Sequence, residues 1–199
     1  MMLKKRKEAL VAALSDTESD VREAAAAALE KLESMQGLGA IAKILKAGSR
    51  EQQIRAIYAL EKVASSKAFS PLVAALNAKE ADVRGAALQV LGKKKNVKVL
   101  KYMVRHLKDP DPAVRVHAAE ALGNFSDRRL TPFLTALLQG SDEELVKSAV
   151  RSLAAIADPA AETDLLVLLN DPRPVLRALA AEALGVLPLD ETDDPALSR

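Results

Sequence analysis

The chain has 199 residues, of which 49% are hydrophobic, 28% charged and 3% aromatic, and it contains no cysteine and no tryptophan. This hydrophobic fraction excludes a disordered chain, and the lack of cysteine excludes disulfides, thiolate metal sites and a cysteine nucleophile. The 29 basic and 27 acidic residues give a formal charge of +2, which predicts no general affinity for nucleic acid. No run of about 18 apolar residues occurs, so we expect no membrane span. The absence of cysteine fits a reducing compartment, and we expect a cytoplasmic protein.

A period of 31 residues recurs six times without an insertion. One column of this repeat is always leucine: Leu29, Leu60, Leu91, Leu122, Leu153 and Leu184. The position four residues earlier is always alanine: Ala25, Ala56, Ala87, Ala118, Ala149 and Ala180. A second leucine column stands half a period away: Leu14, Leu45, Leu76, Leu107, Leu138 and Leu169. Such identity in three columns predicts a repeat architecture.

Each unit is predicted to hold two helices, of about eleven and about thirteen residues, because its apolar positions recur at helical spacing. The first of these twelve short helices starts at the amino end. In chain order, the glycines Gly92, Gly123 and Gly185 are expected to end second helices in a left-handed residue. The segments Lys108–Pro112 and Asn170–Pro174 are expected to be turns between the two helices of a unit.

Such short helices are marginal in isolation, so the predicted pairs must stabilise one another by stacking. Alanine lets the second helices approach closely, and leucine fills the space between pairs. We therefore expect an all-α fold, an α-solenoid of six helix-turn-helix units. It forms one domain over residues 1–187, followed by an acidic cap or tail over residues 188–199.

The second helices at Val114–Gly123 and Leu176–Gly185 read Val/Leu-Arg-x-x-Ala-Ala-x-Ala-Leu-Gly. This pattern resembles the HEAT repeat, in the short form of about 30 residues named after phycobilin lyases, and the resemblance covers residues 3–187. It implies first helices on a convex side, second helices on a concave side, and an Asp-Arg ladder along the turns. The matching pairs are Asp16 with Arg22, Asp109 with Arg115, and Asp171 with Arg177. Units two, three and five depart from this ladder.

The resemblance also covers enzymes, whose required residues can be sought in this sequence. HEAT-like deoxyhypusine hydroxylases hold iron with His-Glu dipeptides, but neither His106 nor His117 is followed by glutamate. The pair His117 and Glu120 offers two ligands at most, so we predict a surface histidine there. We expect His106 to bond a turn carbonyl, Asp109 or Asp111. The sequence thus predicts no catalytic residue, no cofactor and no metal site, and a protein that is not an enzyme.

The concave groove of units two to five is the predicted binding site for a protein or peptide. Its positions vary from unit to unit while the core columns repeat, and they mix apolar, aromatic and arginine residues as contact surfaces do. The predicted site comprises Ile54, Arg55, Tyr58, Lys62, Val116, His117, Glu120, Lys147 and Arg151.

Two alternatives to the groove remain open. One is a phycobilin-lyase-like accessory protein that handles a bilin, although a groove poor in aromatic residues argues against both this role and that of the HEAT-like DNA glycosylases. The other is an acidic partner on the convex face, which carries the basic patch Lys98, Lys101, Arg105 and Lys108. Nucleic acid is the less favoured ligand there, because a convex ridge does not wrap a duplex. The sequence leaves the partner's identity and the oligomeric state open.

Overall fold

In a computed structural model of the chain, the described residues are 2–63 and 65–188, without the side chains at positions 30 and 33–36. All regular structure in these ranges is helical. The helices are α1 (Met2–Ala13), α2 (Ser19–Ala47), α3 (Arg50–Glu61), α4 (Phe69–Ala75), α5 (Ala81–Lys94), α6 (Leu100–Met103), α7 (Pro112–Gly123), α8 (Thr131–Thr135), α9 (Glu143–Ile156), α10 (Glu162–Leu168) and α11 (Pro174–Val186). The predicted acidic cap or tail lies outside the described residues, apart from Pro188.

The chain divides into two compact parts, Met1–Ala56 and Ile57–Arg199, and the division falls within α3. In the part Met1–Ala56, α1 packs against α2. In the part Ile57–Arg199, the second helices α5, α7, α9 and α11 pack in succession, and α4, α8 and α10 pack against α5, α9 and α11, respectively. This stack of helix pairs confirms the predicted all-α solenoid, whereas a single domain over residues 1–187 stays a prediction.

The repeated columns form the core. All six members of the alanine column are buried, which lets neighbouring second helices come close together. Leu60, Leu91, Leu122 and Leu153 have no exposed surface, whereas Leu29 and Leu184 are only half-buried. Burial of a leucine side chain stabilises the fold by about 2 kcal/mol, so the inner units contribute most of the hydrophobic stabilisation.

The joints between later units share one backbone geometry. A left-handed residue is followed by a residue that caps a 3₁₀ turn by accepting the amide N–H two positions on. The pairs are Lys95-Asn96, Ser126-Asp127 and Ala157-Asp158. Turns of this kind end a second helix sharply and start the next first helix.

The stretch from Ser19 to Ala47 differs from the prediction, because it is one helix of 29 residues where the repeat predicts two helices and a turn. The segment around Gly37 and Gly39 contains no proline to end the helix, although Ser34 occupies the column of the capping residues Ser65, Asn96, Asp127 and Asp158. Glycine alone destabilises a helix by only about 1 kcal/mol. The α-helix therefore continues through this joint.

The role predicted for the glycines is also wrong, since no described glycine has a positive φ. Gly92 lies inside α5 and Gly123 is the last residue of α7, and both allow the next second helix to approach. A Cβ built on Gly92 would lie 2.9 Å from the Cα of Ala121, and one on Gly123 would lie 2.5 Å from Oγ of Ser152. These two glycines therefore set the distance between neighbouring units, and the left-handed residues come three positions later.

Two arginine–aspartate ion pairs link neighbouring units, whereas Arg129 with Asp127 and Arg173 with Asp171 pair within one unit. Arg84 of unit three forms two hydrogen bonds to the carboxylate of Asp109 in unit four, at 2.9 and 2.7 Å. Arg115 of unit four reaches Asp142 of unit five at 3.1 Å. The in-unit contacts predicted from the resemblance are made to backbone oxygens instead, as when Arg115 Nη1 donates to the carbonyl of Asp109 at 3.0 Å.

The ion pairs shift the pKa values of their members. Hydrogen bonding to Asp109 raises the pKa of Arg84. Burial alone would raise the pKa of Asp109, but hydrogen bonds from Arg84 and from the Asp111 amide outweigh it and hold that pKa below its usual 3.8. At the last turn, the hydrogen bonds of Arg173 lower the pKa of Asp171 to about 2. These carboxylates are therefore charged over the whole neutral range.

Candidate functional site

The predicted groove residues lie in three helices, apart from Lys62, which directly follows α3. Ile54 and Arg55 lie in α3 within the part Met1–Ala56, whereas the other predicted residues belong to the part Ile57–Arg199. In the part Ile57–Arg199 they occupy the row formed by the end of α3 together with α5, α7 and α9, which we call the second-helix face. Tyr58, Lys62, Glu120 and Arg151 are exposed there, and Val116, His117 and Lys147 are half-buried.

A chain of polar side chains crosses three successive units on the second-helix face. The Tyr58 hydroxyl donates to Gln89 Oε1 at 2.8 Å, and Gln89 Nε2 lies 3.3 Å from Nδ1 of His117. Glu120 Oε2 lies 3.5 Å from the same nitrogen. When the neutral imidazole of His117 carries its proton on Nε2, Nδ1 accepts the hydrogen bond from Gln89 Nε2. When Nδ1 carries the proton, it donates toward Glu120 Oε2 instead. We call these four residues the polar chain.

Two residues of this surface were missed from the sequence. Gln89 stands between Tyr58 and Glu120 in the same column of the repeat, so the 31-residue spacing alone could have placed it between them. Gly85 makes room for the imidazole, because a Cβ at this position would lie 2.8 Å from Cδ2 of His117. The predicted surface character of His117 is therefore only partly right, since the ring sits in a gap between helices.

The cations of the second-helix face fall into two groups. Lys147 is held by Glu143 and Glu144 of its own helix, at 2.9 and 2.8 Å, and hydrogen bonds to Glu144 and Glu143 raise its pKa. Arg151 and Lys62 have no hydrogen bond or ion pair to any residue that the structure describes. A ligand meets these two charges without first breaking an existing ion pair, whereas Lys147 is neutralised in place.

The predicted basic patch lies on the opposite row, formed by first helices and their 3₁₀ segments, which we call the first-helix face. Lys98, Lys101, Arg105 and Lys108 are all exposed. Beside them lies an open recess of about 440 Å³. Its lining combines an apolar floor with cations at the rim: Val97, Leu100, Val104, Leu130, Phe133, Lys98, Lys101 and Arg129. Phe133 is 49% exposed.

His106 ties the first helices of units three and four together. Its Nε2 lies 2.8 Å from the carbonyl oxygen of Leu76 at the end of α4, and its Nδ1 lies 3.0 Å from that of Tyr102. A carbonyl oxygen only accepts, so both hydrogen bonds form together only in the imidazolium state. The predicted bond to a turn carbonyl is thus confirmed, and this histidine acts in the structure of the joint.

Within residues 2–63 and 65–188, no group of three or more histidine, aspartate or glutamate side chains could hold a metal ion. Within the same ranges, no helix is both long and apolar enough to cross a membrane.

A family model for HEAT repeats matches residues 7–92, 69–152 and 100–185, so that the matches together extend over most of the chain. This agrees with the observed stack of helix pairs. No curated protein is similar enough to the sequence to count as a match.

Several solved structures share the fold. The complex of CpcE and CpcF of phycocyanin lyase from Nostoc sp. PCC7120 matches with 24% identity and a TM-score of 0.66, over 76% of this chain but only 65% of that one. A designed armadillo repeat protein in complex with the peptide (KR)4 matches with 21% identity and a TM-score of 0.57, over 90% and 98% of the two chains. An engineered protein matches with 23% identity and a TM-score of 0.54, over 90% and 95%. At such identities the likeness concerns the fold alone.

Proposed function

The chain belongs to the HEAT repeat family, and from this membership we propose that it is a non-enzymatic scaffold in the cytoplasm that holds a peptide or protein segment against its second-helix face. The polar chain of Tyr58, Gln89, His117 and Glu120 is the observation that carries this proposal. It spans three successive units, and its groups contact one another without a partner. Such pre-ordering lowers the entropy that binding would otherwise lose.

The groups around the polar chain suit an extended segment with both apolar and polar side chains. Tyr58 offers a ring that is 42% exposed, and tyrosine and arginine are the residues that most often dominate binding energy. Arg151 supplies a positive charge with no partner among the described residues, and Glu120 supplies a negative one. A bound segment would therefore place an acidic group near Arg151 and a donor or basic group near Glu120.

Relatives in fold support a peptide-binding role in general. The designed armadillo repeat protein was solved in complex with the peptide (KR)4, and the lyase structure is a complex of two chains. We propose the same kind of interaction here, with protein as the ligand class, and without a metal or cofactor.

The test uses a peptide selected from a random library against the immobilised protein, followed by calorimetric titration. The double variant Tyr58→Ala/Arg151→Glu should weaken binding by a factor of about 30 or more, the effect of losing about 2 kcal/mol at a binding hot spot. The matched control Phe133→Ala/Arg105→Glu changes one aromatic residue and one arginine on the first-helix face, and should bind as the wild type does. Unchanged affinity in the first variant would remove the second-helix face as the binding site.

A second candidate function is favoured by the recess on the first-helix face. Its apolar floor beside Phe133 and its lysine rim suit an acidic segment that carries one bulky apolar side chain. In the same titration, loss of binding only in the Phe133→Ala/Arg105→Glu variant would select this candidate over the first.

A further inference from the structure

We propose that the chain associates head to tail with a second copy of itself, so that unit six of one copy packs against unit one of the next as neighbouring units pack inside the chain. This inference is independent of the proposed function. It rests on two unpartnered faces whose residues occupy the same columns of the repeat as the residues that meet at the internal joints.

The first of these faces belongs to unit six. Gly185 occupies the column of Gly92 and Gly123, both of which are closely covered by the following second helix. No described atom lies within 4 Å of a Cβ built on Gly185. Ala181 is likewise exposed, although the preceding members of its column, Ala119 and Val150, are buried. Unit six therefore presents the surface that elsewhere receives another second helix.

The second face belongs to unit one. Val21 is 40% exposed, whereas Val83 and Val114 in the same column are each 1% exposed. Beside it lies an open apolar depression of about 380 Å³, lined by residues of α1 and α2: Leu10, Ala13, Asp20, Val21, Ala24 and Ala25. Ala28 of this unit occupies the column of Ala121 and Ser152, the small residues that cover Gly92 and Gly123 inside the chain.

The charges of the two faces are complementary in the same way as those at the internal joint between units three and four. Arg177 occupies the column of Arg84, and Asp16 occupies the column of Asp109. Arg84 and Asp109 form the ion pair between units three and four, at 2.7 Å. Arg177 bonds only backbone oxygens among the described residues, and Asp16 forms no ion pair there. A second copy docked in the internal register would place Asp16 opposite Arg177 and Ala28 opposite Gly185.

Charge reversal tests the orientation of this contact by sedimentation velocity over a range of concentrations. The variant Arg177→Glu and the variant Asp16→Arg should each associate at least about tenfold more weakly than the wild type, because each brings like charges together. An equimolar mixture of the two should recover association, since both of its mixed contacts pair opposite charges. The control Arg105→Glu lowers the net charge as Arg177→Glu does, but on the first-helix face, and should associate as the wild type does.

Recovery in the mixture also establishes that both variants are folded. A wild type that stays monomeric at all concentrations would overturn the proposal, as would a mixture that associates no better than its components. A truncated chain that lacks residues 189–199 tests whether the carboxyl segment of the same chain, rather than a second copy, covers the unit-six face. Association that appears only after this truncation would mean that the carboxyl segment covers the face in the full chain, and would also overturn the proposal. Equal association of both chains supports it.

Discussion

The ion pair between Arg84 and Asp109 should be the strongest polar contact between units in the described part of the chain. Its side chains are 12% and 5% exposed, and its two hydrogen bonds measure 2.7 and 2.9 Å. Removing one partner of a buried pair typically destabilises a protein by about 3 to 5 kcal/mol, because the other charge stays buried without compensation. Asp109→Asn keeps the size of the side chain and an acceptor for the Asp111 amide, so we expect a loss at the lower end, about 3 kcal/mol.

The matched control is Asp142→Asn in the next joint. Arg115 and Asp142 are 25% and 30% exposed and share one bond of 3.1 Å, and asparagine keeps the helix cap at this position. Water screens this pair more strongly, so we expect a loss of about 1 kcal/mol or less. Urea unfolding followed by far-ultraviolet circular dichroism measures both losses. Equal losses in the two variants, or a loss below about 1 kcal/mol for Asp109→Asn, would refute the reasoning from burial.

The same pair predicts a pH dependence with a defined sign. The pKa of Asp109 in the folded protein lies below its ordinary 3.8, so the unfolded chain takes up its proton at a higher pH than the folded chain does. The pair's stabilisation is therefore fully present above pH 3.8 and is lost as the pH falls through the folded pKa. The stability difference between wild type and Asp109→Asn should be constant through neutral pH and should shrink only below about pH 4. A difference that shrinks on the alkaline side would contradict the assignment.

Two further predictions concern the backbone. Gly123→Ala should destabilise the protein by about 2 kcal/mol, because the added Cβ would overlap Ser152. Gly185→Ala should stabilise the monomer by about 0.5 to 1 kcal/mol, because its Cβ would meet no described atom within 4 Å and alanine favours the helix. Urea unfolding of dilute protein measures both changes. Met35→Pro puts proline inside the continuous α2 and should cost about 3 kcal/mol with a loss of helical circular dichroism. A neutral result for Met35→Pro would mean that the chain tolerates a turn there, as the repeat predicts.

The candidate site was only partly predictable from the sequence. The columns correctly indicated that Tyr58, Glu120 and Arg151 are exposed, because exposure follows from position on an amphipathic helix. They could not indicate that Gln89 bridges Tyr58 and His117, because that contact depends on how far side chains reach between neighbouring helices, and the 31-residue period does not specify this distance. The ion pairs of Lys147, in contrast, could have been predicted, since Glu143 and Glu144 stand four and three residues before it on the same helix.

The sequence alone determined the buried columns, the helical class and the stacking of helix pairs. A strict period repeats the same pattern of burial in every unit, and a short amphipathic helix buries its apolar face only by packing against neighbouring helices. Only the tertiary structure decided where the glycines act, which aspartate each arginine meets, and that α2 continues through a predicted joint. Each of these outcomes depends on how closely neighbouring backbones approach. Gly92 and Arg115 illustrate the reason. Gly92 has the local pattern of a helix end and Arg115 that of a pair with Asp109, but Gly92 lies against Ala121 and Arg115 pairs with Asp142, both in the next unit.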